Sequence, residues 1–331
     1  MPTSFASVAR RRAGLLQICV AGVLWGTGGL AVQVIRDSAS AGDQLSATTI
    51  SAYRTTIAAI VLVVACVLTR QLAGVRRLMR ERPGPTAFVG LATASYQALY
   101  FASVVWVGVT VSTVVSLGIA PLALTVRDAI RHRRRPDLVE VLTVLAALAG
   151  LVLVSGSAGL GETGPHPVPG VLAAIASGSA YAVATAVGEP LARTTAPLVL
   201  TTSATVVGAC GLVPVALVAG GPFTTGDPVA LGTLLYLGAL TFALAYGLLY
   251  AGLRTTSSSA AVVATLCEPV TAAVAAAAFL GERMAPGGLV GIVLVVAAIA
   301  GTARERHPTG AGPVADPDPG RPTVGGFRDG R

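Results

Sequence analysis

Lysine is missing from this 331-residue chain, so all 23 basic residues are arginine, and charged side chains of both signs make up only 11% of it. Soluble domains carry about 25% charged residues, which excludes water as the main solvent of this chain. Aromatics are scarce too, at 5%, so each one inside an apolar run carries information. The three histidines, His132, His166 and His307, all fall between apolar runs or in the terminal tail. None is therefore placed at membrane depth for acid–base or nucleophilic chemistry. Cysteine is limited to Cys19, Cys66, Cys210 and Cys267, in four different apolar runs and without CxxC spacing. That argues against a metal site or a disulfide framework and leaves four small core residues. No cofactor and no metal are expected.

What is present is apolar. Hydrophobic residues make up 53% of the chain, with 39 glycines and a mean hydropathy of +0.75. Runs long enough to cross a hydrocarbon core of about 30 Å recur along the sequence. They lie near 14–35, 45–68, 85–105, 109–129 and 138–155, then 169–188, 197–219, 229–250, 257–280 and 285–303. The expected fold class is an all-α membrane protein of ten transmembrane helices. Residues 1–13 form an N-terminal flank, 14–155 and 169–303 two five-span halves, and 304–331 a Pro- and Gly-rich tail expected to be disordered. Arg10, Arg11 and Arg12 before the first run superficially resemble a secretion signal. Further spans follow at once and no small-residue cleavage site closes the run, so it reads as the first helix.

The net charge of +8 would raise the question of nucleic acid in a soluble protein. Here the arginines cluster in short loops, which reports orientation instead, and no nucleic acid partner is expected. With the N-terminus inside, 20 of the 23 arginines fall on the inner side. Arg36 and Arg283 flank the outer side and Arg54 lies within span two. Both termini are thus expected in the cytoplasm of a multi-pass protein of the plasma membrane.

The halves repeat. GLLQICVAGVLW from Gly14 parallels GVLAAIASGSAY from Gly170, an offset of 156 residues, and Pro121 parallels Pro269, an offset of 148. Five spans per half invert the second copy. After Pro121 the chain runs into Arg131-His132-Arg133-Arg134-Arg135, whereas after Pro269 it reaches Leu280-Gly281-Glu282-Arg283. Opposite-facing loops account for that difference. Two inverted five-helix repeats place a binding site at the repeat interface, exposed alternately to either side.

Several residues are candidates for that site. Glu268 sits near the middle of span nine, where an ionised carboxylate is expensive and must pair, take up a proton or face water. It reads either as a substrate-amine partner or proton-coupling group, or as a structural support for the turn that Pro269 disturbs. Arg54 could hold a substrate carboxylate, pair with Glu268, or snorkel to the outer interface. Trp25, Gln97, Tyr100, Tyr181, Tyr246 and Tyr250 lie in spans one, three, six and eight, with Trp25 and Tyr181 repeat equivalents, and are expected to line a cavity or to pack between helices. Pro121 and Pro269 are expected to break their helices. The GxxxG spacings of Gly22 and Gly26, and of Gly287 and Gly291, indicate close packing, within the chain or in a homodimer. Asp128, Glu140, Glu189, Glu282 and Arg283 flank the spans and read as solvated, as caps or as partners of local charges.

Trp25-Gly26, Arg54, Ser257-Ser258-Ser259-Ala260, Glu268-Pro269 and Leu280-Gly281-Glu282-Arg283, in this order, resemble the EamA family of the drug/metabolite transporter superfamily. The likeness spans nearly the whole chain up to the tail. The first half departs from the pattern, with Ala120 before its proline and Arg134 where the second half has Glu282. The resemblance implies ten helices in two inverted repeats around a central cavity, and secondary transport, in the export direction, of amino acids, other metabolites or drug-like compounds. A facilitative or exchange carrier without proton coupling is the alternative, then a receptor or scaffold. An enzyme is not expected, since Glu268 has no second central carboxylate. The expected partners are a small-molecule substrate and the lipid bilayer.

Overall fold

A computed structural model describes residues 3–38, 45–133, 135–157, 165–279 and 285–304, and every regular element among them is a helix. Arg134, the Glu282–Arg283 pair and the tail lie outside the described residues. Span one is built from α1 (Thr3–Gly26) and α2 (Gly28–Ser38), and span two is α3 (Ala47–Leu68). A short surface helix, α4 (Leu72–Glu81), leads to α5 (Pro83–Val107), α6 (Val109–Arg131) and α7 (Leu138–Ser157), which are spans three to five. The second half opens with α8 (Pro167–Thr194) and α9 (Pro197–Ala219). Span eight is α10 (Pro228–Gly238), a π-helical turn over Ala239–Leu244, and α11 (Ala245–Gly252). Span nine is α12 (Ser258–Ala264) and α13 (Cys267–Phe279), and span ten is α14 (Pro286–Arg304). Nine spans are long and apolar enough to cross a membrane, and the tenth holds a shorter apolar stretch, Pro286–Thr302.

Local chemistry sets the boundaries. Proline occupies the first turn of α5, α8, α9 and α10, where its missing N–H costs nothing. Ser46 caps α3 by accepting from the Thr49 N–H, and Ser257 caps α12 through the Ala260 N–H. Asp227 caps α10, and a hydrogen bond from the Ser38 hydroxyl, with the Val229 and Ala230 N–H groups, holds its carboxyl below the usual carboxylate range. That contact ties the end of span one to the start of span eight. One residue separates α5 from α6; Gly108 turns the chain there at φ 93°, which a side chain would resist. The first helix starts at Thr3, before the apolar run and through the arginine cluster, because arginine is a good helix former.

The inter-helix contacts have the pattern of a pseudo-two-fold. Span two packs on span seven and span five on span ten, each pair repeat equivalents of each other. Span three packs on span six as span eight packs on span one, and span four on span six as span nine on span one. Repeat-equivalent glycines make equivalent contacts: Gly22 meets the Thr265 carbonyl, and Gly178, 156 residues later, meets the Ser116 carbonyl. Gly291 packs backbone to backbone on Gly150. Gly22, Gly26 and Gly291 therefore serve packing within the chain, which is what holds helices together in lipid, where apolar burial offers no preference for a neighbouring helix. Large apolar side chains such as Leu145, Leu217 and Val293 stand exposed on the outside of this multi-pass membrane protein, where lipid covers them. The ends of the first and last spans meet, with Arg11 Nη2 donating to the Thr302 carbonyl at 2.8 Å. Both ends of the bundle thus lie on one face, called here the N-terminal face.

Candidate functional site

Three spans depart from regular helix within their length, and the breaks in spans one and nine border one cavity. Span one is interrupted at Thr27, inside Gly26-Thr27-Gly28-Gly29, where three glycines weaken the helix. Span nine is interrupted at Thr265 and Leu266. Pro269 lies four residues past Thr265 and cannot donate to its carbonyl, which instead receives the Glu268 N–H at 2.9 Å. Span eight takes its π-helical turn beside Arg54, with Gly238 pressed against Ile57 and the Arg54 carbonyl. Such turns inside helices frequently mark functional sites.

Trp25, Gly26, Gly28 and Gly29 at the first break and Glu268 and Pro269 just past the second line a cavity of about 710 Å³. Its wall at depth is Trp25, Arg54, Tyr96, Gln97, Tyr100, Tyr181, Tyr246 and Glu268, with Pro269 beside it. Toward the far face it is bordered by Gln33 and Asp37 of α2 and by Thr110 and Thr113 of α6. Toward the N-terminal face it ends on a dry cluster of Ala120, Leu124, Tyr181, Ala182, Ala186 and Val262.

The polar groups are held firmly but incompletely. Gln97, 4% exposed, accepts from the Ser51 hydroxyl at 2.9 Å, which fixes the amide and leaves its Nε2 with no protein acceptor. Arg54 lies with Cζ 5.3 Å from the centre of the Phe242 ring, a cation–π contact, and its Nε also finds no acceptor. The indole Nε1 of Trp25 is a third such donor. Buried donors are nearly always satisfied, so three of them around one cavity leave it short of acceptors. Among the described residues no ion pair joins Arg54 to Glu268, although both line the cavity.

The aromatic wall is a connected set. Trp25 meets Tyr246 edge-on at 5.1 Å between centroids and Tyr181 at 6.4 Å, and Tyr181 lies 5.2 Å from Tyr96. The Tyr181 hydroxyl donates to Thr265 Oγ1 at 3.2 Å, tying span six to the break in span nine. Tyr100 is fixed by a 2.8 Å hydrogen bond to Thr113.

Seven of the eight residues read from the sequence as cavity candidates line this space: Trp25, Arg54, Gln97, Tyr100, Tyr181, Tyr246 and Glu268. Tyr250 does not; it is 3% exposed and packs in the core, its ring edge on Gly188. One turn further along than Tyr246, it has passed below the cavity floor. Pro121 does not break its helix: α6 runs through it without interruption, as α8 and α9 run through Pro190 and Pro214. Tyr96 was not among the expected residues, although it lies four residues before Tyr100 and so on the same helix face. Cys19 and Cys267, expected as small core residues, lie where α1 crosses the start of α13, with Cys267 beside Gly22.

Comparison with known proteins fits this architecture. The model of the EamA-like transporter family matches residues 12–156 and 168–304. An uncharacterized transporter of Bacillus subtilis (strain 168), YwfM, is 29% identical over 283 residues, which is 85% of this chain and 90% of that protein. A protein of known crystal structure superposes with a TM-score of 0.72 over 88% of this chain and 96% of its own at 21% identity, a likeness of fold.

Proposed function

The chain belongs to the EamA-like transporter family, a membrane transporter of the drug/metabolite type, and from that premise we propose that it exports small amphoteric metabolites, amino acids first among them, by proton-linked alternating access. One observation carries this reading. The cavity places three unsatisfied donors, one of them on Arg54, and a carboxylate, Glu268, around an aromatic wall, with no ion pair closing Arg54 on Glu268 among the described residues. A solute bearing a carboxylate and an ammonium group satisfies both at once. The cavity opens to the far face and is closed toward the N-terminal face, one of the two states that alternating access requires. The arginine bias supports the reading that the N-terminal face, with both termini, is cytoplasmic in a plasma-membrane protein.

The test is flux in proteoliposomes with a panel of amino acids and amphiphilic amines, with and without an imposed pH gradient. Saturable movement driven uphill by the gradient is the expected result. Strictly downhill movement removes the proton link and leaves a facilitator, and movement of amines alone removes the role given to Arg54.

A second measurement addresses Arg54 directly. Arg54→Lys keeps a positive charge but loses the planar fork and its stacking on Phe242. The expected outcome is a KM for carboxylate-bearing solutes raised about tenfold or more with the maximal rate little changed, the mark of lost binding shared by all bound states. An unchanged KM removes Arg54 from the binding role.

A further inference from the structure

On the N-terminal face, two carboxylates that read from the sequence as partners of local arginines converge on one seven-residue helix. Asp128, near the end of span four, accepts a short hydrogen bond at Oδ2 from the Ser259 hydroxyl. Glu189, near the end of span six, accepts at Oε2 from the Ser258 N–H at 2.9 Å. Both serines open α12, the half of span nine between the N-terminal face and the break at Thr265. Each carboxylate keeps its local arginine on the other oxygen: Arg127 lies 3.3 Å from Asp128 Oδ1, and Arg193 donates to Glu189 Oε1 at 2.8 Å. Both acids are thus oriented from behind and aimed at α12. They come from opposite repeats, one from the first half and one from the second.

Beneath this double contact lies the dry cluster that closes the cavity, with Val262 of α12 packed among Leu124 of α6 and Tyr181, Ala182 and Ala186 of α8. Opening a path from the N-terminal face to Glu268 requires α12 to part from α6 and α8, and neither helix can separate from α12 while its carboxylate holds a serine. We propose that Asp128 and Glu189 are the latch of the transporter: positioning residues whose hydrogen bonds to Ser259 and Ser258 hold the state open to the far face, and whose release admits the N-terminal face to the cavity. The inference rests on the alternating-access reading. It assigns the two acids a role in the equilibrium between states and none in contacting solute.

The experiment uses the full chain in lipid nanodiscs, with the four native cysteines replaced by alanine and a single reporter introduced. Val262→Cys, 1% exposed here, reports the closed side, and Thr113→Cys reports the cavity. Glu189→Gln and Asp128→Asn each weaken a hydrogen bond to a charged group and should raise the maleimide labelling rate at Val262→Cys about tenfold, with no rise at Thr113→Cys. Ser259→Ala should reproduce Asp128→Asn, and the two together should go no further than either alone, because they remove one contact. An unchanged rate at Val262→Cys overturns the proposal. So does a parallel rise at both reporters, which marks general loosening, or additivity of Asp128→Asn with Ser259→Ala. Labelling needs no solute: a chain that shows these rates yet moves no solute keeps the latch and loses the transport reading, and the reverse result does the opposite.

Discussion

Glu268→Gln is expected to abolish gradient-driven accumulation while sparing downhill movement of solute. For one proton exchanged per solute, each pH unit across the membrane is worth about 1.4 kcal/mol, a tenfold solute gradient. The parent protein should approach that ratio in vesicles under a one-unit gradient, and the variant should fall to no accumulation at all. The reasoning is electrostatic. Glu268 stands at mid-depth on the cavity wall, with no ion-pair partner among the described residues, and a lone charge at such depth is too costly to leave unanswered. On the proposed mechanism a solute ammonium group answers it in one state and a proton in the other, which would make their binding mutually exclusive and so link their movements. Glutamine keeps the shape and the hydrogen bonding but titrates with neither. Accumulation by the variant equal to that of the parent would assign Glu268 to supporting the turn before Pro269 and nothing more.

The second large effect lies in packing. Gly26→Val is expected to destabilise the protein by about 3 kcal/mol or more, a large share of a typical total of about 5–15 kcal/mol. A Cβ at this position would lie 2.5 Å from the Glu268 carbonyl oxygen and 2.6 Å from Thr271 Cβ, with the Ala272 nitrogen at 3.1 Å. Two of these three are backbone atoms, so no rotamer change relieves the contact. The helices must separate, and the break in span nine moves with them. Gly29→Val is the control, since a Cβ there meets nothing within 4 Å. Thermal melting of the purified variants, followed by the recovery of monodisperse protein, should show a marked loss for the first and little change for the second. Equal melting temperatures would mean that span one does not seat span nine as described.

Hydropathy and charge placed all ten spans, eight of them within about two residues at each end, and revealed the repeat, because a membrane imposes length and polarity on every helix separately. The helices of spans one and six run past the apolar run, to Thr3 and Thr194. The irregularities were less legible. Pro269 announces a disturbed turn, but Pro121, its repeat equivalent, sits in continuous helix, so proline alone does not decide. Thr27 carries a usable signal in its three flanking glycines, whereas nothing in ALTFAL over Ala239–Leu244 distinguishes a π-helical turn from an ordinary one. Arg54 and Glu268 stood out because charge at depth is rare. Tyr96 and Tyr250 were harder, since an aromatic in an apolar run can face cavity, core or lipid, and a shift of one turn decides which. Asp128 and Glu189 show the limit most plainly. Their arginines are one and four residues away and visible in the sequence, while the serines they hold are 131 and 69 residues distant and become neighbours only when the repeats assemble.

The pairing of span two with seven and of span five with ten has a further meaning. Contacts between repeat equivalents across a two-fold are those a molecule makes with its own copy, and the remaining pairings, three on six with eight on one, exchange under the same rotation. The fold thus has the form of an isologous, two-fold dimer of one five-helix unit, written as a single polypeptide. The two copies differ all the same: one has arginines in the loop after its second span, the other Gly220-Gly221-Pro222 there. The difference reaches the cavity, where the second copy has Glu268 and the first has Ala120 at the matching position, so a symmetric scaffold holds an asymmetric site.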